Sequence, residues 1–383
     1  MNPCILYLNT VQGDLIHGMK LAGIRRYAAL RGWRAEAVPH EVMLRDGVPS
    51  VLAGRGPVAG CVVEATNDGA LFPSDLFGPV PVVYFHLQPS FRDDRSAYVL
   101  VDNAAVARAA FRELSARRPA AYAVVGYRMP AEFSAVRRRV FAEQAAKAGV
   151  PCHVFGDDGS ENGVRSADSN AALARWIAAL PRHTAIFAVN DGTAVEVIDA
   201  AAAVNRQIPR DLALCGVDNL VDVCESRSPT LTSIQLDFER AGFLAARMLG
   251  VSALVKQISV GPLMAVWRES TGGAGRREPH ILAAVGRIRR EACNGLAARD
   301  VIAAAPGSKR LFNLRFREAT GHSVLDEIRH VRLDAVETLL LQTDTPIGTI
   351  AGLCGWGSPV ALERFFRAST GISMREWRLK NRG

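Results

Sequence analysis

The sequence predicts an α/β protein of two doubly wound sheets, followed by a smaller all-helical unit. Three observations carry this. The first 270 residues alternate short apolar runs with longer amphipathic stretches, the signature of buried parallel strands joined by helical crossovers. At 383 residues the chain is too long for one ordinary domain and suits two such sheets. Beyond a stretch rich in glycine and polar residues at Glu269–Pro279, no strand pattern survives.

Strands are expected at Ile5–Leu8, Gly60–Val63, Val80–Phe85, Ala121–Gly126, Ala185–Val189 and Leu212–Val217. Each is a continuous apolar run of the kind a sheet covered on both faces requires. Helices are expected between them at Ile16–Leu30, Ala104–Arg117, Ala135–Ala148, Ala171–Leu180 and Gly192–Ala203. The pattern divides the chain into a body, residues 1–270, a linker, 271–280, and a helical unit, 281–383.

Within the helical unit, periodicity places helices at Ile281–Glu291, Ala298–Ala304, Lys309–Thr320, Val324–Leu341, Ile347–Cys354, Val360–Thr370 and Met374–Leu379. Two pairs are joined by tight turns, Ala305-Pro306-Gly307 and Gly355-Trp356-Gly357. Each turn leads into a serine N-cap, Ser308 or Ser358, and Pro359 stands at a first helical position, where its missing N–H costs nothing. Two short helices with a tight turn, the second facing outward, form a helix-turn-helix. The long helix Val324–Leu341 is expected to brace the two units through Val324, Ile328, Val331, Leu333, Val336, Leu339 and Leu340.

Charge follows the same division. The chain carries 46 Lys and Arg against 38 Asp and Glu, a net charge of +8. From Ile281 onward 16 basic residues face 10 acidic ones, so +6 sits in the helical unit and +2 in the body. A basic tail on a near-neutral body points to a polyanion bound by the tail only, most often nucleic acid. The seven cysteines form no CxxC pair and lie beside no paired histidines, which argues for buried thiols in a reducing cytoplasm over disulfides or zinc. The N-terminal MNPCILYLNT lacks the basic segment and apolar length of a secretory signal, and no run is long enough to cross a bilayer. No metal or cofactor is expected. GxGxxG after a strand, the P-loop, HExxH and GxSxG are all absent, which disfavours an enzyme. Asp93-Asp94 and Asp157-Asp158 read as solvated turns.

The run from Ala335 to Ser358, followed by Leu362, Arg364, Phe365-Phe366-Arg367, Thr370-Gly371-Ile372-Ser373 and Trp377-Arg378, resembles the signature of AraC-type regulators over about a hundred residues. The resemblance implies base or phosphate contacts at Arg310, Asn313 and Arg317 in the first recognition helix, and at Val360, Glu363 and Arg364 in the second. Such side chains suit guanine, adenine, cytosine and the thymine methyl. Pro306, Leu314 and Met374 depart from the family pattern; Leu314 stands where a base-reading arginine is common.

Three stretches of the body resemble the ligand domain shared by LacI/GalR regulators and periplasmic sugar-binding proteins. They are Ser134-Ala-Val-Arg137 with Phe141 and Gly149, Ile186–Ala194, and Leu214–Asn219 leading to Ser228–Ile234. The resemblance implies two lobes facing across a cleft, with Arg137, Asn190 and Asp218 contacting a sugar. Asp191 either caps its helix or joins them. On the opposite lobe the candidates are Asp14 and His86, the latter either touching ligand or standing behind it, with Tyr84, Phe85 and Tyr127 as a stacking wall. The order of sensor then AraC-type reader resembles the xylose-operon activators. It implies a sugar-responsive, cytoplasmic regulator with a xylose-like effector, a DNA operator, a homodimeric state and RNA polymerase as a further partner. The alternative is a sugar-binding protein or α/β enzyme whose basic tail binds a protein.

Overall fold

The computed structural model describes residues 2–9, 15–64, 72–86, 92–128, 131–155, 167–249, 257–272, 279–320, 323–342 and 345–382. Two compact units divide the chain, Met1–Arg277 and Glu278–Gly383.

The first unit is built in two lobes. Lobe 1 holds strands β1 (Cys4–Asn9), β2 (Arg34–Pro39), β3 (Val58–Glu64), β4 (Val82–Phe85) and β5 (Ala97–Val101), with helices α1 (Leu15–Leu30), α2 (His40–Asp46) and α3 (Val48–Ala53). Lobe 2 holds β6 (Ala121–Val125), β7 (Cys152–Phe155), β8 (Thr184–Ala188), β9 (Leu212–Val217) and β10 (Thr232–Leu236). Its helices are α4 (Asn103–Ser115), α5 (Glu132–Lys147), α6 (Ala167–Ala179), α7 (Asp191–Ala203) and α8 (Val221–Cys224). The chain then returns to lobe 1 through α9 (Phe238–Met248) and β11 (Gln257–Val260), and re-enters lobe 2 as β12 (Pro262–Val266). The sheets run β11-β5-β4-β3-β1-β2 and β12-β10-β9-β8-β6-β7. Pairing is parallel except where β12 runs antiparallel to β10.

Six strands beyond the expected ones complete these sheets. β7 and β2 are edge strands with half-exposed residues, so neither needs a continuous apolar run. β10 is hidden by its composition: Thr232 and Ser233 are fully buried with their hydroxyls bonded to Thr271 and Asp191, side chains of elements packed on the sheet. The body also extends further than expected. Ser270 donates to the Leu214 carbonyl (2.6 Å) and accepts from the Thr232 N–H (2.8 Å), while Thr271 meets Thr232. The start of the expected linker is therefore packed on β9 and β10, and most of the rest lies outside the described residues.

Lobe 1 is closed by an unusually near approach of α1 to α9. A Cβ at Gly23 would collide with the Glu239 carbonyl, and one at Gly242 with the Lys20 carbonyl. Only glycine at both positions lets the two backbones touch. Crossings between the lobes share another local device. Asp102, after β5, accepts from the Ala105 N–H to cap α4, and Asp237, after β10, accepts from the Arg240 N–H to cap α9. β5 and β10 thus each lead into an aspartate that starts a helix of the other lobe, while β11 crosses to β12 directly through Gly261.

The second unit is helical: α10 (Pro279–Glu291), α11 (Ala298–Ala304), α12 (Lys309–Thr320), α13 (Val324–Gln342), α14 (Ile347–Leu353), α15 (Pro359–Thr370) and α16 (Met374–Arg382). Val324 and Ile328 of α13 are buried on the first pair's side, and Val336 and Leu340 enter a core with Ile350, Leu362 and Phe366 on the second. Among the described residues no helix is long and apolar enough to cross a membrane. Five cysteines are buried and Cys152 and Cys293 half-buried, all as free thiols.

Gly242→Ala should weaken lobe 1 by about 1–3 kcal/mol, the usual cost of forcing a methyl into a filled contact. Denaturant unfolding of the purified chain measures it; an unchanged midpoint would mean that α1 and α9 part freely.

Candidate functional site

A cavity of about 350 Å³ opens between the lobes, where the strands' carboxyl ends converge. Lobe 2 supplies one wall. Arg137 of α5 is 4% exposed, donating from Nε to Asn103 Oδ1 (2.9 Å) and from Nη1 to the Val189 carbonyl (2.6 Å), with its guanidinium over the Phe133 ring. Burial pushes its pKa down, while Asp218 and Asp191 act in the opposite direction. Ser134 steadies the neighbouring loop by accepting from the Tyr127 N–H (2.9 Å). Asn190 faces the same cavity and also caps α7, its Oδ1 accepting from the Thr193 N–H (2.8 Å).

Asp218 lines the cavity in a strained backbone, φ 102°, followed by Asn219 at φ 53°. Such conformations persist only when their surroundings hold them. Here Asp218 N–H donates to the Ile234 carbonyl (2.9 Å), and Asn219 N–H to the Ser233 hydroxyl (3.0 Å).

Asp191 requires a correction. It neither caps α7 nor lines the cavity. It is fully buried, and its oxygens accept from Ser233 Oγ (2.6 Å), Leu220 N–H (2.9 Å) and Cys224 Sγ (3.3 Å). The carboxylate thus ties the start of α8 to β10. Burial, reinforced by the charge of Asp218, raises its pKa to about 7.

Lobe 1 brings a group that the sequence did not single out. His86 lines the cavity, as expected, with a left-handed backbone at φ 56°. Its Nε2 lies 3.3 Å from Lys20 Nζ, and Lys20, only 2% exposed, pairs with Glu64 Oε1 at 2.7 Å. Tyr7 donates to the same carboxylate oxygen at 2.5 Å. The ammonium sits 4.4 Å from the Phe85 ring centroid and 5.6 Å from that of Phe238. Burial works to raise the Glu64 carboxyl, but Lys20 and the nearby histidines outweigh it and hold the pKa at about 2. His86 is enclosed by protein yet wetted from the cleft; desolvation and then the Lys20 charge both push its pKa down, so the ring is neutral at ordinary pH.

Asp14 lies outside the described residues. Of the expected stacking wall, Tyr127 lines the cavity beside Phe133. Tyr84 is instead buried against Tyr98, its hydroxyl donating to the Phe72 carbonyl (2.7 Å), and Phe85 is core beneath Lys20. His17 and Lys20, three residues apart within an otherwise mostly apolar helix, were the available signal for the missed group. Asn103 and Arg92 also line the cavity without having been singled out.

On the helical unit Arg310, Asn313 and Arg317 are exposed along α12 beside Leu314, itself 54% exposed. Asn313 Nδ2 donates to the Lys309 carbonyl (3.0 Å). On α15, Val360, Glu363 and Arg364 share one open groove with Arg367 and Ile347. Ser358 caps α15, accepting from the Ala361 N–H (3.2 Å). The preceding turn is seated through Gly355, at φ 71°, where a Cβ would press on the Ala292 and Cys293 carbonyls. Arg332 of α13 donates to the carbonyls of Ala292 and Leu296, both at 2.8 Å.

Residues 108–271 match the model of a periplasmic binding protein-like domain, and 302–380 that of a helix-turn-helix domain. The xylose operon regulatory protein of Haemophilus influenzae is 24% identical over 290 residues, 74% of each chain. Its counterpart in Escherichia coli K12 is 25% identical over 319 residues, 78% of each chain. Among solved structures, the xylose-binding transcription activator xylR superposes with a TM-score of 0.55 at 22% identity, covering 99% of this chain and 98% of that one. A LacI-family regulatory protein from Chloroflexus aggregans gives 0.55 at 22% identity, over 70% of this chain and 98% of its own. The chain thus joins a periplasmic binding protein-like domain to a C-terminal helix-turn-helix domain of AraC type, and it is homologous to the xylose operon regulatory proteins.

A buried carboxyl with a raised pKa binds its proton more tightly folded than unfolded. Asp191 should therefore favour the folded state least above pH 7, its contribution declining as pH rises from its ordinary value near 3.8 through about 7. Asp191→Asn should flatten that part of the stability profile, read by denaturant unfolding between pH 4 and 8. An unaltered slope would place the proton elsewhere.

Proposed function

We propose that this homologue of the xylose operon regulatory proteins is a sugar-responsive, DNA-binding transcription regulator that activates a sugar catabolic operon. Its effector is a small sugar of the xylose class, its other partner a double-stranded operator. It works in the cytoplasm as a homodimer that contacts RNA polymerase. One observation supports the reading above others: a two-lobed cleft lined by Arg137, Asn190 and Asp218 stands in the same chain as two helix-turn-helix pairs with exposed basic recognition helices.

The chemistry is that of a clamp. Arg137 offers its remaining guanidinium donors. Asn103 and Asn190, whose oxygens already accept from Arg137 and Thr193, keep their amide N–H groups to donate. Asp218 offers acceptors, so adjacent hydroxyls of a sugar are met in both senses. Closure would turn one lobe against the other about the crossings at Asp102 and Asp237, a hinge motion. The helical unit reads DNA with residues 281–383: arginines on α12 and α15 grip phosphate or guanine, while Val360 meets a thymine methyl.

Two measurements test this. Saturating sugar at a hundred times Kd should stabilise the chain by about 2.7 kcal/mol. Arg137→Ala and Asp218→Ala should abolish that shift and leave operator binding intact; shifts that survive in both variants would overturn the cleft assignment. On the DNA side, Arg364→Ala should cost about 1–3 kcal/mol on the cognate site and relax preference at one base pair. Equal losses on cognate and scrambled DNA, with a salt slope lower by about one unit, would make Arg364 a phosphate contact only.

A further inference from the structure

Successive backbone N–H groups hold the turn that aims Asp218 into the cleft, and most of that hold passes through one buried carboxylate. Asp218 N–H donates to the Ile234 carbonyl (2.9 Å), Asn219 N–H to Ser233 Oγ (3.0 Å) and Leu220 N–H to Asp191 Oδ2 (2.9 Å). Ser233 Oγ in turn donates to Asp191 Oδ1 at 2.6 Å. A hydroxyl has a single proton to give, so this bond turns the Ser233 lone pairs toward Asn219. One oxygen of Asp191 therefore holds Leu220 directly, and the other holds Asn219 through Ser233. These bonds keep Asp218 and Asn219 in their left-handed conformations, φ 102° and 53°. Gly216, just upstream on β9, makes room for the carboxylate: a Cβ there would collide with Asp191 Oδ1.

The arrangement suits an ionised group. As a carboxylate, Asp191 accepts on both oxygens from Ser233, Leu220 and the Cys224 thiol. A proton on either oxygen takes a place now filled by a donor, and it removes the charge that strengthens the remaining bonds. Burial and the charge of Asp218 favour the neutral acid, the hydrogen bonds favour the carboxylate, and the pKa is raised to about 7. The other charged or titratable groups facing Asp191 are Asp218 and Cys215 from β9, Cys224 from α8 and Arg137 from α5, with Arg268 beyond Cys224. Burial pushes both thiols up, so they stay protonated, and arginine keeps its charge.

Resting on the reading of this cleft as a sugar site, we infer that Asp191 is the positioning residue for Asp218. It presents Asp218 to the effector only while ionised, so effector binding releases a proton from Asp191 to the solvent.

Calorimetric titration of the full chain with D-xylose at pH 6, 7 and 8 tests this. With only the ionised fraction competent to bind, affinity should fall about tenfold from pH 8 to pH 6. At pH 7 about half a proton should be released per sugar bound, read by repeating the titration in buffers of different ionisation heat. Asp191→Asn keeps the shape but offers an acceptor on one side alone. It should bind about tenfold more weakly than the native chain at pH 8, with a flat profile and no proton released. Ser233→Ala, which leaves the Leu220 bond in place, should weaken binding at pH 8 and keep part of the profile. Binding independent of pH in the native chain, or a profile that survives in Asp191→Asn, would overturn the inference while leaving the sugar sensor standing. Native affinity and profile in Ser233→Ala would overturn the link from Asp191 to the Asp218 turn. No binding at any pH would overturn the inference and the sensor reading together.

Discussion

A charged lysine with almost no solvent contact is the constraint around which lobe 1 is arranged. Removing an ammonium from water costs several kcal/mol unless an opposite charge and well-placed hydrogen bonds compensate. Lys20 meets that demand with Glu64 at 2.7 Å and two aromatic faces. Each partner comes from a different element. Glu64 ends β3, Phe85 ends β4 and Phe238 begins α9, so one buried charge draws the sheet's carboxyl end, helix α1 and the crossing into lobe 1 to a single point. Glycine at positions 23 and 242 is the steric counterpart: α1 must approach α9 closely enough to carry Lys20 to that point.

The same group sets the hydrogen-bonding sense of His86. By occupying His86 Nε2, it makes the imidazole a donor on its remaining nitrogen, and it holds Glu64 away from the cavity as an ionised acceptor. Lobe 2 reaches order differently. Its arginine is anchored by a carbonyl and an amide, with its planar group against Phe133 and its charge opposed by Asp218. The strained turn at Asp218 is held by bonds to β10, and Asp191 secures the adjoining segment from beneath. Side chains fixed before a ligand arrives lose little freedom on binding it, and both walls meet this condition.

How much of this was legible follows from the kind of signal each element leaves. Strands buried on both faces, such as β1, β8 and β9, announce themselves as apolar runs. β10 does not, since its buried Thr232 and Ser233 look like loop residues and satisfy their hydroxyls on the Arg268 carbonyl and the Asp191 carboxylate, outside the strands. Arg137, Asn190 and Asp218, which line the cavity, were singled out by the resemblance of their surrounding stretches to LacI/GalR ligand domains. Lys20 was not: a lysine in an amphipathic helix ordinarily faces water, and only the three-dimensional placement of Glu64, 44 residues away, reveals otherwise. Asp191 shows the converse error. Adjacency to a cleft residue suggested a shared role, but successive residues at a helix start point in different directions. Asn190 turned to the cavity and Asp191 to the interior.

The two recognition helices are unequal for reasons visible in how each is held. Helix α15 starts with a serine cap at 3.2 Å and a proline at its first position, and Leu362 and Phe366 bed it on α13 and α14. Gly355 seats the preceding turn against the Ala292 and Cys293 carbonyls, just beyond α10. Helix α12 has a weaker start, with the Ser308 hydroxyl 3.4 Å from the Leu311 N–H, and it exposes Leu311 and Leu314 among its basic residues. Leucine cannot hydrogen-bond a base edge, and arginines without a partnered reader act mainly on phosphate, which positions a protein without selecting sequence. In the proposed regulator the two helices would then divide their work: both add electrostatic, salt-dependent affinity, while base choice is concentrated in α15. Affinity and specificity would in that case reside on different helices of one small unit, and loss of charge from α12 would shift binding to all DNA alike.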